Sequence, residues 1–404
     1  MRTINRRIFL RDSALAMVGT GALPLWLQRT ALASGAGGRR KTLVALFQRG
    51  AADGLNIVVP HAEPRYYELR PSIAVPRTSV IDLDGFFGLH PSLAPLKPLW
   101  DAKRLAIVHA SGSPDPTRSH FDAQDYMESG TPGRKATGDG WLNRAMPPES
   151  AVSPVRAVSL GPALPRSLRG VNSAVAVESI ANFNIHDEAS AQQFETLYGA
   201  DKFLGGTARA TFDAVKLLRS LGESQSTGYP RGKFGQSLKQ IAQIVKADVG
   251  LEVAFADMGG WDHHVNEAGA SPSEGQLAQR LTEFGSSLAA FSADLGDRIE
   301  DVVIVTMSEF GRTARENGNR GTDHGHANAM FVLGGPVQGG KVYGQWPGLG
   351  DEQLHEGRDL AVTTDFRDVL SETVYRHLGN RKLGDVFPGY AARPDSFRGL
   401  LRAA

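Results

Sequence analysis

Five short apolar runs, each closed by a polar turn, set the architecture open to this chain. They are Lys41–Phe47, Leu105–His109, Leu251–Ala256, Asp301–Thr306 and Ala329–Leu333. Their residues are mostly apolar without alternation, the pattern of strands covered on both faces. Ala151–Leu160 and Ala174–Val177 are weaker strand candidates. Helical patterns fall between them. One runs from Ser119 to Gly130, with Ser119 and Asp122 as a variant of the capping box and Gly130 as the stop. Others cover 186–220, Lys239–Lys246, about 274–296 and Thr364–Leu378. Leu221–Gly235 and 334–350 read as glycine-rich loops. Strands alternating with helices imply right-handed crossovers. The expected fold is α/β, a three-layer α/β/α sandwich around a mostly parallel, doubly wound sheet, with 42–404 as a single domain.

The start of the chain reads differently. Asn5-Arg6-Arg7-Ile8-Phe9-Leu10 precedes an apolar stretch from Ser13 to Leu27, and Ala31-Leu32-Ala33 follows. A basic segment, an apolar segment and a small-x-small site in that order predict a signal peptide over 1–33, and the adjacent arginines predict the twin-arginine translocase as its partner. Residues 34–41 form a linker. The apolar stretch holds Gly19, Gly21 and Pro24 and falls short of the roughly 20 apolar residues a spanning helix needs. Nothing later is long and apolar enough, so no stable membrane span is expected in the mature chain, which is expected to be periplasmic or secreted. The leader carries five Arg and one Asp, so its removal takes the chain from a net charge of +1 to −3. That surface offers no electrostatic footprint for nucleic acid. The chain has no cysteine, which excludes disulfides, thiolate catalysis and thiolate metal sites.

The polar residues that matter lie just past strand ends or just before a strand, the edge at which open α/β sheets bind ligands. Asp53 follows the first run, though an Asp before Gly is also a common turn former. In Asp262-His263-His264, an extended backbone turns Asp262 and His264 to one side, where both can share a cation or simply hydrogen-bond. Thr322-Asp323-His324-Gly325-His326 packs an Asp and two His into four residues, either as ligands or as a solvated loop. Glu309 follows the Asp301–Thr306 run and lies three residues before Arg312, which suits a ligand or a salt bridge. Ser119 stands at a helix start, where free N–H groups favour an anion; it is a nucleophile candidate or a plain N-cap. Arg49, Arg118 and Arg312 are candidates for gripping a tetrahedral anion.

In that order along the chain, these residues resemble the alkaline phosphatase and sulfatase superfamily. More closely, Phe47-Gln48-Arg49-Gly50-Ala51-Ala52-Asp53-Gly54, Arg118-Ser119-His120-Phe121-Asp122, Gly259-Gly260-Trp261-Asp262-His263-His264 and Ser308-Glu309-Phe310-Gly311-Arg312 with Asp323-His324-Gly325-His326 resemble a bacterial family of unknown function within it, domain of unknown function 1501, whose members commonly carry twin-arginine signals. The resemblance spans essentially the whole mature chain. It implies an alkaline-phosphatase-like fold, one or two divalent ions (Zn, Mn, Ca or Mg) and a small anionic ester as substrate, with a non-catalytic binding or assembly protein as the alternative. It matches Asp53, Asp262, His264, Glu309, Asp323, His324 and His326 to metal positions, Ser119 to the nucleophile (with Thr117 competing) and Arg312 and Arg49 to the anion clamp. Two registers fit the late part of the chain. In the preferred one, Glu309 fills the slot of an Asp-His pair and His324 or His326 is the late His. In the other, Asp323-His324 is the pair and His355 is late. The preferred register puts Phe310 where a second metal-binding His is expected. With no Cys-x-Pro-x-Arg motif, formylglycine sulfatase chemistry is not expected.

Overall fold

A computed structural model describes residues 39–135, 137–147, 153–180, 213–222 and 224–402. The signal segment, residues 34–38 of the linker and most of the 186–220 helical stretch lie outside the described residues. The main sheet has nine strands: β1 (Thr42–Gln48), β2 (Leu105–Gly112), β3 (Ala157–Leu160), β4 (Val175–Val177), β5 (Val253–Met258), β6 (Val302–Met307), β7 (Asn328–Gly334), β8 (Lys341–Tyr343) and β9 (Thr364–Asp365). Their order is β8-β2-β7-β6-β1-β5-β3-β4, with β9 beside β2. Among these strands β7 alone runs against its neighbours, antiparallel to both β2 and β6. The other pairings are parallel.

Every residue of β1 is buried, which explains its unbroken apolar run. Val44 and Leu46 face one core, and Leu43, Ala45 and Phe47 the other. The first core is closed by α2 (Lys233–Ala247) and α3 (Gln276–Leu295). The second is closed by the short helix Trp141–Ala145 and by α4 (Phe366–Thr373). Helices on both faces make the three-layer α/β sandwich. A separate three-stranded sheet joins Val58–Val59, Gly88–Leu89 and Ile81–Asp82. Among the described residues, no helix is long and apolar enough to cross a membrane.

Several boundaries differ from the sequence pattern. Helix α2 begins at Lys233, inside the stretch read as loop. Phe234 is buried and stacks on Phe284 of α3, extending the apolar stripe of Leu238, Ile241 and Val245 by a turn. The 334–350 loop contains β8, which satisfies the backbone of β2. Of the Ala151–Leu160 strand, 151–152 lie outside the described residues, 153–156 are not strand, and Ala157–Leu160 is.

The direction of β7 shapes the site. All other strands of the sheet share one direction, so their C-terminal ends share one edge. The chain leaves β6 there, loops through 308–327 and re-enters as β7 without crossing the sheet. The residues before β7 are therefore placed beside the ends of β1, β5 and β6.

Candidate metal centre

Helix α1 (His120–Ser129) starts at this edge after β2. Ser119 is its N-cap, its hydroxyl accepting from the Asp122 N–H at 3.5 Å, and Gly130 ends it with φ of 68°. His120 thus stands in the first turn. Asp262 and His264 come from the turn after β5, anchored by fully buried Trp261, whose indole donates to the Met258 carbonyl. His324 lies on a short ladder in which Gly311 donates to the His326 carbonyl, Gly325 to Gly311 and Thr313 to Asp323. Gly50, at φ of 119°, lets the β1 turn pass close to this segment, since a Cβ there would meet the Asp262 nitrogen at 2.7 Å.

Four side chains converge. His324 Nε2 is 3.0 Å from His120 Nε2, 3.0 Å from His264 Nε2 and 3.2 Å from Asp262 Oδ1. His264 Nε2 is also 3.0 Å from Asp262 Oδ1, and His120 Nε2 is 3.5 Å from Asp262 Oδ2. His120, Asp262 and His324 form the one group of at least three such residues, among those described, whose ligand atoms all lie within 4.8 Å of one another.

The far side of each ring decides what these short distances mean. His120 Nδ1 donates to Glu309 Oε1 at 2.8 Å, His264 Nδ1 to Asp323 Oδ1 at 3.0 Å, and His324 Nδ1 to the Arg118 carbonyl at 2.9 Å. A carbonyl or carboxylate can only accept, so each neutral ring carries its proton on Nδ1 and a bare lone pair on Nε2. Three lone pairs and a carboxylate oxygen then face one another with no hydrogen between them. Such a set repels itself unless a positive charge sits within it, either a metal ion or a proton on one Nε2. Bonds of about 2.0–2.2 Å to a tetrahedral divalent ion give ligand–ligand edges of about 3.3–3.6 Å, a little wider than the separations of 3.0–3.5 Å between these atoms. Imidazole with carboxylate suits Zn²⁺ or a related divalent metal, and the oriented Nδ1 atoms are the outer partners that such ligands require.

The rings differ in their electrostatics, burial lowering the His324 pKa below its ordinary value. The bond to Glu309 raises the His120 pKa above its ordinary value, against the effect of burial. Burial pushes the Asp262 carboxyl up, but Arg312, donating at 2.9 Å, holds it below the usual range. Burial likewise opposes ionisation of Glu309 and is overcome by His120, Gln124 and the Gly50 N–H.

The structure brings Asp262, His264 and His324 together and adds His120, which the sequence reading named only as part of a motif. Glu309 and Asp323 stand one bond further out, holding the imidazoles. His326 stacks on His355 with ring centres 4.4 Å apart. The Asp53 carboxylate is buried and taken by Arg70, at 2.5 and 2.9 Å. Buried Glu267 hydrogen-bonds Asp53, and burial and the Asp53 charge raise its pKa well above the ordinary value. Arg49 is engaged by Gln124, Glu128 and Asp257. Arg312 binds Asp262 and Thr322, leaving a buried Nη2 without a partner among the described residues. Phe310 lies against His120 and His324, its ring centre 5.0 Å from each. The signal that finds His120 is its place: the first turn of a helix entered from a strand end at the ligand edge.

Fold and site thus define an α/β protein with a histidine–carboxylate cluster, a candidate metal centre, at the C-terminal edge of its sheet. Residues 102–382 match the family described as "Protein of unknown function (DUF1501)", and the chain belongs to that family. No curated protein matches it. Among solved structures it is similar to the PsFucS1 sulfatase from Pseudoalteromonas sp., at 15% identity and a TM-score of 0.39, covering 89% of this chain and 72% of that one. It is also similar to the zinc complex of the C-terminal periplasmic domain of EcEptC from Escherichia coli, at 10% identity and a TM-score of 0.35, covering 74% of each chain. A third is a protein in the alkaline phosphatase superfamily from Vibrio parahaemolyticus, at 10% identity and a TM-score of 0.33, covering 78% of this chain and 70% of that one.

Proposed function

We propose that this protein is a metal-dependent hydrolase of phosphate or sulfate esters, exported by the twin-arginine route. The observation that carries the reading is the convergence of the His120 and His324 Nε2 atoms with the Asp262 carboxylate, and of His264 Nε2 on the last two, each ring fixed from behind. His120, His264, His324 and Asp262 would hold one divalent ion. When bound, such an ion supplies a Lewis acid that polarises an ester oxygen and acidifies an attacking hydroxyl or water. The chain's own part is positional. Glu309, Asp323 and the Arg118 carbonyl keep the imidazoles in one tautomer, and Arg312 keeps Asp262 ionised. Ser119 or Thr117, at the mouth of α1, is the candidate nucleophile. The signal segment and the absence of cysteine support export in the folded state.

Two observations favour a second reading, a non-catalytic metal-binding protein on the same fold. The Ser119 hydroxyl is used as a helix cap, and Arg70 already neutralises Asp53. The test is metal analysis of protein purified from its export route, followed by assay on aryl phosphates, phosphodiesters and aryl sulfates. About one equivalent of metal is expected, lost in His324→Ala and His264→Ala, with turnover lost in Ser119→Ala and retained in Thr117→Ala. Protein without Zn, Mn, Ca or Mg sinks both readings. Metal without turnover on any ester leaves the second.

A further inference from the structure

One residue past the ligand His120 the surface changes character. Phe121 is 90% exposed, although large apolar side chains at the surface are uncommon here; only Val171 and Val265 share that state among the described residues. Phe121 lines a cleft of about 680 Å³ between α1 and the ends of β3 and β5. Leu160 and Leu164 add apolar wall. The cleft is wired to the metal centre. Arg49 in its wall donates to Gln124 Oε1 at 3.0 Å, Gln124 donates to Glu309 Oε1 at 2.9 Å, and Glu309 holds His120.

The charges lining the cleft are unequal. Arg49 is balanced by Glu128 and Asp257, Lys135 by Asp122, and Arg166 by Asp125. Arg169 also lines the cleft, is exposed, and has no carboxylate partner among the described residues. It lies close enough that, after burial, its charge is what depresses the pKa of Arg166. With Arg166 paired to Asp125, Arg169, whose Nε donates to the Leu164 carbonyl at 3.4 Å, is left as the cation of the cleft without a carboxylate among the described residues.

We propose that this cleft receives the organic part of the ester and that Arg169 binds a second anionic group on it, so that the substrate is an ester bearing two separated anions. The inference rests on the hydrolase reading for the orientation of the ester, with one anion at the metal centre and the ring or chain between the anions lying along Phe121. Phe121 supplies an apolar face and Arg169 the distal charge.

The experiment is a calorimetric titration of the metal-loaded protein with glucose 6-phosphate and with glucose 1,6-bisphosphate, which differ by the second anion. The bisphosphate is expected to bind about tenfold more tightly, a gain consistent with one additional partly exposed charge contact reinforced by a neighbouring cation. In Arg169→Glu that preference disappears, and in Arg169→Gln it falls to an intermediate value; unchanged metal content and melting temperature show that both variants are folded. Equal binding of the two sugars by the wild type overturns the proposal, as does a preference that survives both variants. A preference that depends on Arg169, with neither phosphate hydrolysed, upholds the subsite and removes the hydrolase reading instead.

Discussion

Glu309→Gln isolates the contribution of one negative charge to the metal centre. Glu309 is almost fully buried. Its Oε1 accepts from His120 Nδ1 at 2.8 Å, the Gly50 N–H at 2.8 Å and Gln124 Nε2 at 2.9 Å. A glutamine carbonyl in the same place accepts all three. Its amide then meets Ser308 Oγ, which already donates to the Gln48 carbonyl at 2.8 Å and can accept in return. Shape and hydrogen bonds therefore survive, and only the charge behind His120 goes. Losing such an outer partner typically weakens metal binding about 10- to 100-fold, equivalent to about 1.4–2.7 kcal/mol. Equilibrium competition for Zn²⁺ against a chromophoric chelator at pH 7.5 measures this directly, with the melting temperature of the metal-free protein as the control for folding. The pH dependence has a definite sign. Glu309 raises the proton affinity of His120, so protons compete with metal in the wild type at a higher pH than in the variant. The deficit of Glu309→Gln should narrow as the pH falls. A variant within twofold of the wild type, with Asp262→Asn weakened a hundredfold in the same assay, would refute the assignment of Glu309 as the partner that orients and charges His120.

Three further outcomes follow from other side chains. His377 is buried, its Nε2 donates to the Thr42 carbonyl at 2.9 Å, and burial lowers its pKa to about 4. Between about 4 and its ordinary 6.5 the unfolded chain binds a proton that the folded chain does not, so stability drops as pH falls through that window; urea midpoints against pH should show a shallower slope for His377→Gln than for the wild type, and parallel slopes would contradict this. Arg70→Ala strands the Asp53 carboxylate beside Glu267 in the interior, and urea unfolding should register a loss of about 3–5 kcal/mol, largely relieved in an Asp53→Asn background. Ser119→Ala removes the α1 cap and should cost about 1 kcal/mol with metal affinity unchanged; a drop in metal affinity would place Ser119 in the metal centre itself.

The sheet and its ligand edge were legible because a strand buried on both faces leaves an unbroken apolar run and its end is marked by a polar turn. Asp262 and His264 were expected to share a side as i and i+2 of an extended segment; the structure brings them together from a turn instead, the His264 N–H donating to the Asp262 carbonyl at 3.2 Å. Strand direction could not be read, because periodicity is the same in both directions; the antiparallel course of β7 was visible only as the unexplained richness of Asp323-His324-Gly325-His326 before a strand. Glu309 was placed at the right edge, but whether a carboxylate touches a metal or the ring that holds it is a matter of one bond length, which sequence does not encode. His120 was hidden by its neighbour, since a Ser at a helix start accounts for the local pattern without it. The partner of Asp53 was out of reach as well. Arg70 comes seventeen residues later, just past a short helix, with no periodicity to link the two.

Two of these departures act in the same direction. The resemblance to two-metal enzymes asks for a cation beside Asp53, and Arg70 supplies a permanent one, fully buried and further tied to the Thr313 and Ala314 carbonyls. It asks for a second ligand at position 310, and Phe310 supplies a ring packed on His120 and His324, in an apolar cluster with Ala51 and Ala123. With a guanidinium in one place and an aromatic ring in the other, the expected content is one ion rather than two. Metal stoichiometry is the measurement that decides. A value near one fits the Asp262, His120, His264 and His324 set, whereas two equivalents in the wild type would mean that Arg70 gives way to a second ion and that Asp53 is a ligand after all.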